Sequence, residues 1–220
     1  MLNFHPNNHF VREFITDEET QEFLWDKYQT FKDADEFERA LISRSDRNAS
    51  PTDPLLVEEH QSRFCDHVSI QYRHHPELFE LSCNLKELSE ELLVETPEEL
   101  WFSQYEFVKY ESNGQTFMPH TDDNYDGKQH NRHLTAVTMV EATDDLEGGH
   151  LHVWPTNDIA KAVRGEVQRF TVDLKPWESI IFPAWYVHEA SPVTKGRRTI
   201  LISWAQLGYR WHSERGIKRA

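Results

Sequence analysis

The chain has 220 residues, of which 38% are hydrophobic and 12% aromatic, and its 38 acidic and 23 basic residues give a net charge of −15 at pH 7. This composition supports one folded domain with a substantial core and excludes a disordered protein, while the acidic surplus disfavours a nucleic-acid partner because phosphate binding depends on basic patches. The sequence contains no run of about 18 apolar residues, so no membrane span is predicted. Its two cysteines are too few for a disulfide framework, and its first residues lack the pattern of a secretory signal. We therefore expect a cytoplasmic protein without a membrane partner.

The first elements along the chain are an extended arm and a helix. Residues 1–14 carry scattered aromatic side chains and read as an arm or entering strand. Thr16 followed three residues later by Glu19 forms a capping box, because the two side chains can each bond a free backbone N–H of the first turn. We therefore expect a helix that begins there and ends near Phe31.

Three further helical segments are predicted before residue 100. A short one covers residues 35–42, a second begins at Pro54 after a polar loop, and a third begins at Pro76, since proline suits the first position of a helix. The third carries a regular apolar stripe that is typical of a helix packed on a core. Its members are Leu78, Leu81, Leu85, Leu88 and Leu92.

The pattern changes at Trp101, after which short apolar runs alternate with glycine, asparagine and aspartate turns. Eight strands are predicted, over residues 104–111, 115–120, 133–141, 150–154, 168–172, 179–182, 187–190 and 198–205. Strands of this number and spacing favour a two-sheet jelly roll, also called a double-stranded β-helix. Helices followed by strands predict an α+β fold in which the N-terminal helices brace one sheet.

The whole chain, 1–220, is accordingly predicted to be a single domain. Residues 1–100 would form its mainly helical N-terminal part and residues 101–207 its jelly-roll core.

A candidate metal site begins with His120 and Asp122. Side chains two residues apart on an extended segment point the same way, so this imidazole and carboxylate can share one divalent ion. We propose His188 as the third ligand, because two histidines and one carboxylate form the facial triad of non-haem Fe(II) oxygenases. The alternative for His188, which follows a run of aromatic residues, is an ordinary core histidine.

Arg198 begins a strongly apolar strand and carries the second chemical signal. An arginine on the same face as Ile200 and Ile202 is costly to bury without an anion, which a bidentate carboxylate contact would provide. The alternative is a buried salt bridge to an Asp or Glu. The turn after His188 is expected to lay the Arg198 strand beside the His188 strand, and Arg197 is expected to face solvent.

Together these residues resemble the Fe(II)- and 2-oxoglutarate-dependent oxygenases of the prolyl 4-hydroxylase-like branch. The resemblance covers about Trp101–Ala205 and depends on the order and spacing of six features. They are Tyr110, the His120-x-Asp122 pair, Arg132-x-Leu134-Thr135, Gly148-Gly149-His150-Leu151, His188 to Val193, and Arg198. The chain departs from many relatives in having His150 where they have Glu, and in having no Tyr over residues 134–140.

The resemblance implies the roles of the site residues. His120, Asp122 and His188 would hold Fe(II), and Arg198 would bind the distal carboxylate of 2-oxoglutarate. Tyr110 would contact this cosubstrate or be a core tyrosine. O2 would be the co-reactant, with ascorbate as an additional candidate cofactor.

The implied activity is hydroxylation of an unactivated C–H bond, in a prolyl residue of a protein or peptide or in a free amino acid. The alternatives are demethylation by the same chemistry and a jelly-roll binding module without catalysis. His150 and His152 could imitate a metal pair but lack a convincing third ligand. Four aromatic residues are candidates for shaping the substrate pocket, with a place in the core or at the rim as the favoured alternative, namely Trp154, Trp185, Tyr186 and Tyr125. The oligomeric state is left open.

Overall fold

The computed structural model describes residues 2–15, 17–40, 63–70, 75, 77–123, 132–212 and 216–219. The elements in chain order are β1 (Val11–Phe14), α1 (Glu18–Asp33), β2 (Glu38–Arg39), β3 (Arg63–Phe64), β4 (Asp66–Ile70), α2 (Glu77–Ser89), β5 (Trp101–Glu111), β6 (Thr116–His120), β7 (Arg132–Ala142), β8 (Glu147–Gly148), β9 (Leu151–Trp154), α3 (Ile159–Val163), β10 (Phe170–Val172), β11 (Glu178–Pro183), β12 (Val187–Ala190), β13 (Val193–Lys195), β14 (Arg197–Gln206), β15 (Tyr209–His212) and β16 (Gly216–Arg219). Among the described residues, none of the helices combines the length and hydropathy that a membrane crossing needs.

Two antiparallel sheets form the body of the protein. The large sheet has the strand order β1-β11-β7-β14-β5-β4-β2, and the small sheet has the order β10-β9-β12-β6-β3. One core cluster is drawn from strands of both sheets and fills the space between them. Successive side chains of a strand alternate between faces, so β14 sends Ile200 and Ile202 into this space and Leu201 to the opposite face.

A second core cluster covers the outer face of the large sheet with α1 and α2. Tyr28 of α1 packs on Phe107 of β5 with ring centroids 6.0 Å apart, and Ser82 of α2 donates a hydrogen bond of 3.0 Å to the Phe102 carbonyl. Four leucines of the predicted stripe are fully buried there, namely Leu78, Leu81, Leu85 and Leu92. The large sheet is therefore buried on both faces, which explains the nearly unbroken apolar runs of β7 and β14.

Two predictions for the N-terminal part were wrong. The side chain of Asp17, one residue after Thr16, caps α1 by accepting from the backbone N–H groups of Glu19 and Thr20. Residues 38–39 form strand β2 beside β4 where helical turns were expected, because Asp35 adopts a left-handed conformation (φ 54°) that interrupts the helix. The helix predicted from Pro54 lies outside the described residues.

The expected pairing of the His188 and Arg198 strands was also wrong. β12 lies between β9 and β6 in the small sheet, whereas β14 lies between β7 and β5 in the large sheet. The connecting β13 pairs with β8, and Gly196 turns the chain at φ +69°, where an added Cβ would lie 2.3 Å from the Thr143 hydroxyl oxygen. Local turn signals indicate a reversal of the chain but not the sheet that the next strand joins.

The first 100 residues contribute β1, β2 and β4 to the large sheet and β3 to the small sheet, in addition to α1 and α2. The division at residue 100, and the single domain over 1–220, stay predictions.

Candidate metal centre

The three predicted ligand residues converge at one end of the space between the sheets. His188 of β12 lies opposite His120 at the end of β6, and Asp122 follows two residues later. One potential ligand atom from each of the three lies within 4.8 Å of the other two. Nε2 of His120 lies 3.7 Å from the Asp122 carboxylate, and Nε2 of His188 lies 3.4 Å from it. Two atoms that each bind one metal ion at about 2.1 Å, at right angles to each other, are roughly 3 Å apart, which is close to these distances.

Both imidazoles are oriented by backbone carbonyls two residues earlier in the chain. His120 Nδ1 lies 2.8 Å from the Met118 carbonyl oxygen, and His188 Nδ1 lies 3.0 Å from that of Tyr186. A carbonyl only accepts hydrogen bonds, so each Nδ1 carries a hydrogen, and Nε2 is the ring nitrogen that is left to bind a metal ion. This is the tautomer that a metal-binding histidine requires.

The carboxylate of Asp122 is held from the large sheet. Its Oδ2 accepts a hydrogen bond of 2.8 Å from the Thr135 hydroxyl and one of 2.9 Å from the Trp204 indole N–H. Thr135 and Trp204 are directly opposed on β7 and β14. Their roles were missed in the sequence, although Trp204 lies on the Arg198 face of its strand and Thr135 belongs to the motif that opens β7.

The electrostatics of the cluster favour a bound cation. Burial, with a smaller contribution from His188, lowers the pKa of His120 to about 3, so this imidazole is neutral. Burial, the largest single influence, would raise the pKa of Asp122, but His188, His120 and Arg132 together outweigh it and lower the pKa. Burial likewise opposes protonation of His188, yet Asp122 raises its pKa. The buried carboxylate is thus ionised, as a carboxylate that binds a metal ion must be.

Arg198 lies on the same face of β14 as Trp204 and is only 3% exposed. Its guanidinium carbon is 4.8 Å from the ring centre of Tyr110, which is directly opposite on β5 and also buried. Within the part of the chain that the structure describes, no carboxylate lies at ion-pair distance, and the buried Nε has no hydrogen-bond partner. Burial lowers the pKa of this guanidinium. The alternative of a buried salt bridge is therefore absent from the described residues.

Gly149 leaves the room that Arg198 occupies. It has φ +66°, and an added Cβ would lie 3.3 Å from Arg198 Cδ and Nε and 2.8 Å from Val193 Cγ2. Any larger residue would be strained there and would press on the arginine. An unpaired guanidinium in such a space suits a small carboxylate ligand.

The remaining sequence candidates lie outside this cluster. His152 bonds Thr171 at 3.0 Å and His150 pairs with Asp173, and within the described residues only the group of His120, Asp122 and His188 meets the geometric requirement for a three-ligand site. Arg197 is half-exposed and pairs with Glu141 at 3.2 Å, as expected of the outward face. Trp154 and Tyr186 are buried, Trp185 is partly exposed, and Tyr125 lies outside the described residues.

Comparison with known proteins agrees with this geometry. Residues 102–206 match the model of the 2OG-Fe(II) oxygenase superfamily. A PKHD-type hydroxylase from Stenotrophomonas maltophilia is 29% identical over 152 residues, which are 64% of this chain and 63% of the relative. The chain covers 33–63% of the length of the four curated relatives, about half on average.

Solved structures share the fold. A prolyl-4-hydroxylase from Pseudomonas putida superposes with a TM-score of 0.61 at 15% identity, covering 91% of this chain and 94% of that one. A non-heme alpha ketoglutarate dependent carbocyclase from nogalamycin biosynthesis has a TM-score of 0.64 at 12% identity, covering 94% of this chain and 82% of that one. These similarities confirm the double-stranded β-helix, and the two different reactions show that the fold alone does not specify the chemistry.

Proposed function

We propose that this chain, whose residues 102–206 match the model of the 2OG-Fe(II) oxygenase superfamily, is a hydroxylase that depends on Fe(II) and 2-oxoglutarate. The observation that carries the proposal is the convergence of His120, Asp122 and His188 on one end of the space in which Arg198 is buried, with no carboxylate partner among the residues that the structure describes. A binding module without catalysis would have no use for both features together. His120, Asp122 and His188 would hold Fe(II), and Arg198 would bind the distal carboxylate of 2-oxoglutarate.

Bound Fe(II) would supply the oxidising chemistry, in which 2-oxoglutarate and O2 are converted to succinate and CO2 while a substrate C–H bond becomes C–OH. The residues of the chain would orient and enclose the reactants. Thr135 and Trp204 hold the Asp122 carboxylate, Arg198 would fix one end of the cosubstrate, and Ile200 and Ile202 keep the space between them apolar. Tyr110 is buried with its ring centre 4.8 Å from the guanidinium carbon, and would either contact 2-oxoglutarate there or serve as a core tyrosine.

For the substrate we propose a peptide or protein that contains a prolyl residue. The names of the PKHD-type relatives and of the prolyl-4-hydroxylase neighbour support this class. A free amino acid is the second candidate, because the same ligand set would serve it. Peptides and free amino acids would be compared for stimulated succinate release and for a mass gain of one oxygen atom. Formaldehyde release from a methylated substrate would favour demethylation instead.

The neighbouring arginines provide a matched test of the cosubstrate site. Arg198→Ala is expected to raise the KM for 2-oxoglutarate roughly 10- to 100-fold, because a charge-assisted contact is lost. Arg197→Ala, on the opposite face of the same strand, is expected to leave this KM unchanged. Succinate release is measured under saturating Fe(II), with and without ascorbate. Equal KM values for the two variants would refute the role of Arg198, and metal binding without any succinate release would favour a non-catalytic module.

A further inference from the structure

The turn between β11 and β12 touches two of the three ligand residues through its backbone. The Ala184 carbonyl accepts hydrogen bonds from the backbone N–H groups of Asp122 at 2.8 Å and Asp123 at 3.1 Å. The Tyr186 carbonyl accepts the hydrogen bond from His188 Nδ1 at 3.0 Å. One short turn therefore sets both the position of the carboxylate and the orientation of an imidazole.

The side chains of this turn are held by the N-terminal arm, defined as residues 2–15. Phe4 presents its ring edge-to-face to Trp185, with centroids 6.4 Å apart and planes at 82°. His9 Nδ1 shares a hydrogen bond of 3.1 Å with the Tyr186 hydroxyl. The rings of Trp185 and Tyr186 are themselves perpendicular with centroids 4.4 Å apart, so the two contacts of the arm restrain one aromatic unit.

The arm has anchors of its own, apart from the turn. Strand β1, Val11–Phe14, pairs with β11 of the large sheet. The Arg12 Nη2 donates a hydrogen bond of 2.7 Å to the Glu178 carboxylate, and Phe4 forms a backbone bridge to Leu93 beyond α2. Because the arm is fixed at these points, it can hold the turn in a constant position relative to the large sheet.

We infer that the N-terminal arm is a positioning element of the metal centre. Its His9 restrains Tyr186. The backbone carbonyls of Ala184 and Tyr186 then hold Asp122 and His188 at the separation that one metal ion needs. The inference rests on the proposed metal site and deepens it, because it assigns residues 2–15 a part in metal binding. Groups that orient metal ligands typically change metal affinity 10- to 100-fold when removed. His9 bonds Tyr186 and not a metal ligand itself, so we expect its removal to weaken metal affinity by a smaller factor, about 3- to 10-fold.

The test uses the full chain and titrates Co(II), which reports binding by its absorption without any turnover. Tyr186→Phe removes only the hydroxyl, and His9→Ala removes its partner. Both are expected to weaken Co(II) binding by the stated factor. His9→Gln keeps a group that can bond the hydroxyl and is expected to restore most of the affinity. Asp17→Ala removes the cap of α1, so it should lower the melting temperature without changing Co(II) binding.

Unchanged Co(II) affinity in Tyr186→Phe and His9→Ala would overturn the inference. So would an equal loss in Asp17→Ala, since the effect would then report general stability. Failure of the proposed function is seen separately, because unmodified protein that binds Co(II) but releases no succinate with Fe(II) would contradict the hydroxylase and not the role of the arm. An unmodified chain that binds neither ion would contradict both.

Discussion

The two ends of the space between the sheets both hold buried charge, but they compensate for it differently. At the metal-ligand end, the Asp122 carboxylate accepts hydrogen bonds from Thr135 and Trp204 and lies beside two imidazoles. At the other end, the guanidinium of Arg198 faces the ring of Tyr110 and, within the described residues, no carboxylate. The metal-ligand end is thus organised by groups of the protein itself, whereas the charge at the Arg198 end calls for an anionic ligand.

The strongest test of the metal-ligand end removes a ligand. His188→Ala is expected to lower succinate release by at least about 1000-fold even at high Fe(II), because an incomplete ligand set neither retains nor orients the ion. Co(II) titration should show weakened binding in parallel. His152→Ala is the matched control, since this buried histidine of the adjacent strand lies outside the ligand cluster. A His188→Ala protein with normal turnover would refute the ligand assignment.

Loss of one hydrogen bond to Asp122 is the next largest expected effect. Thr135→Val keeps the shape of the side chain but removes the hydroxyl, and should weaken metal binding about 10- to 100-fold. Thr138→Val is the control on the same strand, because its hydroxyl bonds Ser179 at 2.7 Å, away from the ligand residues. It should cost about 1 kcal/mol of stability and leave metal affinity unchanged. Equal metal affinity in both variants would show that the Asp122 contact has no orienting role.

At the Arg198 end, removing the charged group should stabilise the ligand-free protein, whereas each change at the metal-ligand end weakens metal binding. Arg198→Met replaces a buried cation, which has no carboxylate partner within the described ranges, by an apolar chain of similar length, so the free energy of unfolding is expected to rise by about 1–2 kcal/mol. Arg197→Met, half-exposed and paired with Glu141, should change it by less than about 0.5 kcal/mol. Urea denaturation of the metal-free proteins measures both values. A large destabilisation by Arg198→Met would mean that its charge is already compensated within the protein.

Adding the cosubstrate should make the unmodified protein more stable than the Arg198→Met protein. With a redox-inert divalent metal present, 2-oxoglutarate at about 100 times its dissociation constant is expected to stabilise the unmodified chain by about 2.7 kcal/mol. The Arg198→Met protein should gain much less at the same concentration. Thermal melting with succinamate, which lacks the keto acid group, serves as the ligand control.

The smallest expected effect concerns a charge pair outside the space between the sheets. The hydrogen bond from Arg12 lowers the pKa of Glu178, so this carboxylate stabilises the fold above its unfolded pKa of about 4.3 and loses that contribution as pH falls through the lowered folded pKa. Arg12 is 38% exposed, which limits the effect to under about 1 kcal/mol. The free energies of unfolding of the unmodified and Glu178→Gln proteins, measured between pH 6 and 3, should become more alike as the pH falls. A constant difference across this range would contradict the assignment.

Much of the local structure was predictable because its signals are local. All eight predicted strands from residue 104 onward are present within three residues of their expected ends, since side-chain alternation and turn glycines depend only on neighbouring residues. The Leu stripe of α2 has the same basis. The site residues His120, Asp122, His188 and Arg198 were chosen from spacing and from the cost of burying a cation, and the structure brings the first three together.

Only the tertiary structure decided which strands are neighbours and which distant groups touch. β12 and β14 are close in sequence but belong to different sheets, and β2 forms where helical turns were expected because β4 offers it a partner. The hydrogen bonds from Thr135 and Trp204 to Asp122, and the one between His9 of the arm and Tyr186 of the turn, join residues 13 to 177 positions apart. No periodic pattern records such contacts, because they arise from the packing of whole sheets and not from the preferences of adjacent residues.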